Sequence, residues 1–380
     1  SWHASDKDWR GTRELLAANY GYDKYGGNCH MVPNHGLIIH SLLHGDGDFS
    51  KTLKIVNTCG WDTDCNSGNV GCLMGILVGV DGIDASIENG IDWRGPVADR
   101  LYCPTSDGDR CISDCAREAT QIINMGQTLG GAARFAPKQG AQFHFSFKGS
   151  VQGFQVQSGT AQLSNPDGDA LHISGKAGAR IGTPVFAPSL EVADYFEKAH
   201  YKLMASPRIF PGQHVSASVS SPDANLYIAY YGEGDETCYV DVDNPDDPLN
   251  PSINVPKVPG PIFEVGLRLN KDVSLQLNHV GWQGNPEVTF ERPQHKGLMW
   301  KRAWVDAVDQ LVGWSEMFRL VQNEGLGMIS QGTRERTNKV VSADVTPHLV
   351  SRAGVAARVQ GLTRFYALMV TLDQKVQLVK

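Results

Sequence analysis

The sequence predicts a multidomain α plus β chain: an all-helical segment followed by β-sandwich or jelly-roll regions. Two observations predict it. Up to about residue 135, apolar residues recur at helical spacing between glycine-marked stops. From about residue 141, period-two alternation takes over, beginning with Phe143, Phe145 and Phe147, and short runs are separated by turn residues. The expected division is residues 1–136 helical, 137–297 a β-sandwich, and 298–380 a partial, lectin-like sandwich left incomplete at its C-terminal end.

The helical elements follow in order. Arg13 to Tyr20 ends at Gly21, and Gly26-Gly27-Asn28 forms a turn. Pro33 to His44 is an apolar helix stopped by Gly45-Asp46-Gly47, and Phe49 to Thr58 is amphipathic. Gly60-Trp61-Asp62-Thr63-Asp64-Cys65 then turns into a helix from about Ser67 to Val80. In this helix Gly71, Gly75 and Gly79 bare one face for close packing, at about 1 kcal/mol of propensity each. Ile112 to Leu129 is a further helix. In the second half Asn165-Pro166-Asp167-Gly168 marks a turn between strands. Strands are expected at Leu226 to Tyr231, Cys238 to Val242, Phe263 to Leu269, Val273 to Leu277 and Val288 to Phe290. Asp243 to Pro261 reads as a long loop. Further strands are expected near Val340 to Val345, Gly354 to Val359, Phe365 to Leu372 and Val376 to Val379.

Composition narrows the function. The 380 residues are 41% hydrophobic and 20% charged, with a net charge of −7. A mildly acidic chain argues against general nucleic-acid binding, and no run of 18 or more apolar residues spans a membrane. The eight cysteines form no C-x-x-C pair and no zinc pattern. They read as reduced thiols, with a disulfide among Cys103, Cys111 and Cys115 as the alternative. The compartment stays open, cytoplasm being favoured over secretion. The chain starts at Ser1 and stops in a strand-like run, so a longer protein is expected.

The aspartate turn carries the chemistry. Asp62 and Asp64 lie two residues apart at a helix start, and short carboxylates suit hard cations. The simpler reading is that both merely cap the helix. His40 and His44 share a helix face without an evident third ligand for zinc. Asp241, Asp243, Asp246 and Asp247 form an acidic cluster that reads as a calcium site or as a solvated loop. Tyr227, Tyr230, Tyr231, Tyr239 and Trp282 read chiefly as sandwich core, with one or two of them free to line a carbohydrate groove.

The segment from Asn28 to Gly79 resembles the C-terminal half of the ADP-ribosylglycohydrolase family. The resemblance rests on Gly60-Trp61-Asp62-Thr63-Asp64-Cys65, the glycine-spaced helix after it, Pro33 to His44 before it, and the phrase His44-Gly45-Asp46-Gly47-Asp48-Phe49. It implies an all-helical metal-dependent glycosidase that hydrolyses an N- or O-glycosidic bond of an ADP-ribosyl or related ribosyl or sugar substrate. It implies one or two Mg²⁺, with Ca²⁺ or Mn²⁺ possible substitutes, held by Asp62, Asp64 and Cys65. Cys65 stands where the family has threonine or serine. Trp61, His30 and Asn34 are the expected substrate contacts. The family's N-terminal half, with its Thr-Asp-Asp motif and loop acid, has no counterpart in residues 1–27. The catalytic acid or base is therefore expected outside this chain, on a second polypeptide or a missing segment. The alternative is a non-catalytic carbohydrate-binding or assembly protein with a degenerate hydrolase domain.

Overall fold

Leu37, Leu53, Val56, Val70 and Met74 are buried, and they anchor the helices of the N-terminal segment to one another. The computed structural model describes residues 3, 8–27, 29–103, 110–199, 202–243, 246–312, 316–334 and 336–380. Its contacts divide the chain into two units, Ser1–Val97 and Ala98–Lys380. Asn28, and with it one residue of the expected Gly26-Gly27-Asn28 turn, lies outside the described residues. No helix among the described residues is long and apolar enough to cross a membrane.

The first unit contains α1 (Trp9–Tyr20), α2 (Met31–His44), α3 (Phe49–Thr58) and α4 (Thr63–Asp84). Asp8 and Asp48 start α1 and α3 by accepting the backbone N–H of Arg10 and Lys51. The expected close approach along the glycines of α4 is largely absent. A Cβ at Gly68 would meet nothing within 4 Å, and one at Gly71 would reach only Leu53 Cδ1, at 3.9 Å. Gly79 takes φ +66°, which interrupts the helix rather than smoothing its face.

His40 and His44 do lie together on one face of α2, with ring centroids 4.7 Å apart and the rings tilted by 56°. Burial, reinforced by the neighbouring His44, Arg13 and His3, pushes the His40 imidazole down to about 4. Neither of its ring nitrogens has a hydrogen-bond partner among the described residues. Between about pH 4 and the unfolded value near 6.5, the unfolded chain holds this proton and the folded chain does not. Stability is therefore complete above about pH 6.5 and declines as the pH falls toward 4, by up to about 3 kcal/mol. In thermal melts at pH 4.5 and 7.5, His40→Phe should flatten this dependence. An unchanged difference between the two pH values would refute the assignment.

The second unit opens with β1 (Arg100–Tyr102) paired to β2 (Ile112–Asp114), followed by α5 (Cys115–Leu129). The helix expected from Ile112 therefore starts three residues late. Ile112 pairs with Tyr102, and Asp114 caps α5 by accepting from the Arg117 N–H.

The sandwich is built from two five-stranded antiparallel sheets. Its strands are β3 (Gln155–Ser158), β4 (Ala161–Ser164), β5 (Leu171–Gly175), β6 (Arg180–Pro184), β7 (His214–Val219), β8 (Ala224–Tyr231), β9 (Thr237–Val242), β10 (Ser252–Asn254), β11 (Ile262–Leu269) and β12 (Val273–Gln283). One sheet runs β10-β7-β12-β5-β4 and the other β3-β6-β11-β8-β9. Between them lie Phe143, Phe154, Ile173, Ile181, Val215, Leu226, Val265 and Leu277. β8 and β11 are buried at almost every position, because Tyr227, Tyr231 and Phe263 also meet Phe186, Leu203 and Met299 on the outer side. Covered on both faces, they read as continuous apolar runs.

Several expected strands are replaced. Phe143 makes a single bridge to Val280, and Phe145 then turns left-handed at φ 53°, which ends the extended run. Val288 to Phe290 and Val340 to Val345 form no strand, and Val340 is 95% exposed. The long loop after Asp243 contains β10, which pairs with β7; residues 244 and 245 are outside the described set. The last region contributes α7 (Met299–Arg302), after α6 (Leu190–Lys198) earlier in the unit. It also contributes two short ladders, β13 (Val305–Ala307) with β16 (Met328–Ser330) and β14 (Gln310–Leu311) with β15 (Leu320–Val321). A three-stranded meander follows: β17 (Arg352–Ala357), β18 (Tyr366–Thr371) and β19 (Val376–Val379). All eight cysteines are free thiols, Cys103, Cys111 and Cys115 included.

Candidate metal centre

Three consecutive residues make the aspartate turn: Gly60 at φ 72°, Trp61 at φ 59° and Asp62 at φ 54°. Glycine takes this left-handed conformation freely, whereas Trp61 and Asp62 each cost about 1–2 kcal/mol there. The surroundings hold the strain. The Arg13 guanidinium lies 3.9 Å from the centroid of the Trp61 ring, and Arg13 Nε donates to the Cys59 carbonyl at 2.8 Å. Tyr22 packs its ring 5.2 Å from Trp61, and Asn66 Nδ2 donates to the Trp61 carbonyl at 2.8 Å.

Asp62 occupies the N-cap position of α4 but makes no side-chain cap. Its Oδ2 accepts instead from Asn34 Nδ2 at 2.6 Å, and Asn34 Oδ1 accepts from the Tyr22 hydroxyl. A capping carboxylate would turn onto the helix N–H groups, so simple capping does not describe Asp62. Asp64 lies in the first turn of α4, exposed beside the exposed Cys65. Asp62, Asp64 and Cys65 each offer a ligand atom within 4.8 Å of the other two.

Asp62 also touches two thiols. Its hydrogen bond raises the Cys65 thiol above the ordinary value, with desolvation adding to it. Desolvation, followed by the Asp62 charge and a hydrogen bond to the same carboxylate, raises the Cys29 thiol. The donor set suits a divalent cation: the two carboxylates favour hard ions, and the sulfur biases the set toward softer ones such as Zn²⁺.

Asn34 thus joins the predicted trio directly. His30 caps α2 by accepting from the Val32 N–H at 3.2 Å and packs against Tyr25, and Trp61 is half-buried under Arg13. Arg13, Tyr22 and Cys29 escaped sequence reasoning, since nothing in their local pattern signals a contact with a turn some 30 to 50 residues further on. Within the acidic cluster of Asp241, Asp243, Asp246 and Asp247, Asp241 is already committed to arginine partners. Asp241 pairs with Arg180 at 2.7 Å and Arg268 at 3.1 Å, and those guanidiniums hold its carboxyl below the ordinary range against the opposing effect of burial.

No curated protein matches the chain. Among solved structures, the CBM22-1–GH10 modules of the Clostridium thermocellum endo-1,4-β-D-xylanase 10B with xylohexaose align at 11% identity and a TM-score of 0.24. That alignment covers 38% of this chain and 28% of the other. A xylan-binding domain from CBM 22 aligns at 11% identity and a TM-score of 0.23, over 40% of this chain and all 100% of its own. The accessory secretory protein 1, 2 and 3 structure from Streptococcus pneumoniae aligns at 12% identity and a TM-score of 0.22, over 37% and 93%. Residues 3–122, the segment that carries Asp62, Asp64 and Cys65, match the ADP-ribosylglycohydrolase family.

Proposed function

We propose that the aspartate turn is one half of a divalent-metal-dependent glycosidase site that hydrolyses an N- or O-glycosidic bond of an ADP-ribosyl or related ribosyl substrate. The carrying observation is the convergence of Asp62, Asp64 and Cys65 within 4.8 Å, with Asp62 drawn off its cap by Asn34. Mg²⁺, one ion or two, is the resident group of this reading, with Mn²⁺ or Ca²⁺ as substitutes. Bound there, it would supply Lewis acidity toward the sugar and an anchor for its hydroxyls. The chain's own residues orient: Tyr22 fixes Asn34, Asn34 fixes Asp62, and the Arg13–Trp61 stack holds the turn.

The proton donor or acceptor for the leaving group lies on a second polypeptide or a further segment of the same protein. Leu73, Ile76 and Leu77 of α4 support this, being 49%, 80% and 70% exposed and forming an apolar face suited to an added helix. The β-sandwich would position a sugar-bearing substrate. A second reading, a carbohydrate-binding protein without turnover, is favoured by the sulfur at Cys65. The deciding experiment supplies the N-terminal half of the glycohydrolase domain, in cis or in trans, and follows ADP-ribose release from ADP-ribosyl-arginine and ADP-ribosyl-serine peptides. Release that needs a divalent ion and stops with EDTA is expected. Metal-independent release, or none from the completed domain, would overturn the first reading.

A further inference from the structure

We infer that the outer face of the β4-β5-β12 sheet is a binding groove for a neutral polysaccharide. This open groove has a volume of about 790 Å³, within the size range of ligand sites. On its floor every outward side chain of β4, β5 and the first half of β12 is polar and uncharged: Gln162, Ser164, His172, Ser174, Ser274 and Gln276. None of these six positions holds an Asp, Glu, Lys or Arg, although such residues make up 20% of the chain. The opposite sheet of the same sandwich has no such stretch, since Arg180, Arg268 and Asp241 sit on its outer side.

The groove's groups are paired across strands and so held in place. Ser274 Oγ donates to Ser174 Oγ at 2.9 Å, and Gln276 Nε2 lies 3.2 Å from His172 Nε2. Hydroxyls, amides and an imidazole give donors and acceptors alternately, which is what a row of sugar hydroxyls needs. At one end Asp167 and Asp169 bring carboxylates within 4.8 Å of the His172 ring. Carboxylates accept from sugar hydroxyls but repel acidic sugars, so they select a neutral chain over a uronate. Among the described residues no Phe, Tyr or Trp lines this floor, and recognition therefore rests on hydrogen bonds rather than stacking.

The inference rests on the carbohydrate-positioning role given to the sandwich and is independent of the metal centre. The test is affinity electrophoresis of the whole chain through gels containing hydroxyethyl cellulose, soluble starch, arabinoxylan or polygalacturonate. At least one neutral polymer should retard the protein and polygalacturonate should not. His172→Ala/Gln276→Ala should weaken retardation about tenfold or more with an unchanged melting temperature. Ser274→Glu should do the same from a different position, whereas Tyr239→Ala on the opposite sheet should leave retardation intact. Retardation unaffected by both groove variants would overturn the groove while leaving sugar binding by the sandwich standing. Retardation by polygalacturonate alone, no retardation at all, or self-association through this face in sedimentation would overturn the inference outright. ADP-ribose release by the completed domain would survive each of those results.

Discussion

Asp62→Ala should weaken divalent-cation binding by at least about 100-fold. It removes a proposed charged ligand, and loss of even the supporting groups around a metal commonly costs 10–100-fold. The same substitution tests what holds the turn, because Asp62 sits at φ 54° and spends its carboxylate on Asn34 rather than on the helix. Asp62→Gly separates the two effects. It should lose the metal equally yet be about 1 kcal/mol more stable than Asp62→Ala, since both lose the Asn34 bond and only alanine keeps a Cβ to strain there. Cys65→Thr should move the other way for Mg²⁺, tightening it while loosening softer ions, because a hydroxyl replaces a thiol among hard donors. Calorimetric titration of the four proteins with Mg²⁺ and Zn²⁺ reads all of this. Wild-type affinity in both Asp62 variants would sink the assignment.

Asn165→Ala should destabilise the sandwich by about 3 kcal/mol. Asn165 is 3% exposed, and its Nδ2 donates to the carbonyls of Phe145 (2.9 Å), Phe147 (3.0 Å) and Ser150 (2.8 Å). Its Oδ1 accepts from the Gly168 N–H at 2.9 Å. Alanine leaves those carbonyls without their shared donor in a buried setting, where each orphaned group is expensive. The neighbouring loop should loosen too, because Ser150, Val151 and Gln152 fix Asp99 through its Oδ2. For a unit of this size the melting temperature should drop by roughly 8 °C. Asn165→Asp, which keeps an acceptor for Gly168 but no donor, should fall nearly as far. A drop under about 2 °C in both would show that the hub carries little.

Much of the fold is legible in the residues, and the reasons for the failures are local. Helices α2 and α3 are marked by their caps and by the glycines after them, so their limits fall within a few residues of the expected ones. Asn165-Pro166-Asp167-Gly168 reads as a turn because turn chemistry is short-range. That its first residue also braces three carbonyls about 15 to 20 positions earlier is not visible in the string. Alternation at Phe143, Phe145 and Phe147 imitates a strand, yet a left-handed Phe145 denies it the ladder. The site divides in the same way. Asp62, Asp64 and Cys65 are contiguous and readable, and Asn34 is suggested by its loop. Tyr22 and Cys29 reach Asp62 only through tertiary folding, which periodicity does not encode.

The break at Gly79 divides one long rod into two levers. Forces applied to the far end of that rod meet a hinge before they reach Asp64, since the repeating i to i−4 ladder does not run through it. The geometry of the aspartate turn itself is set by α2 and by the Arg13 stack, while the chain beyond Asp84 returns through Trp93 to the core that α4 shares with α3.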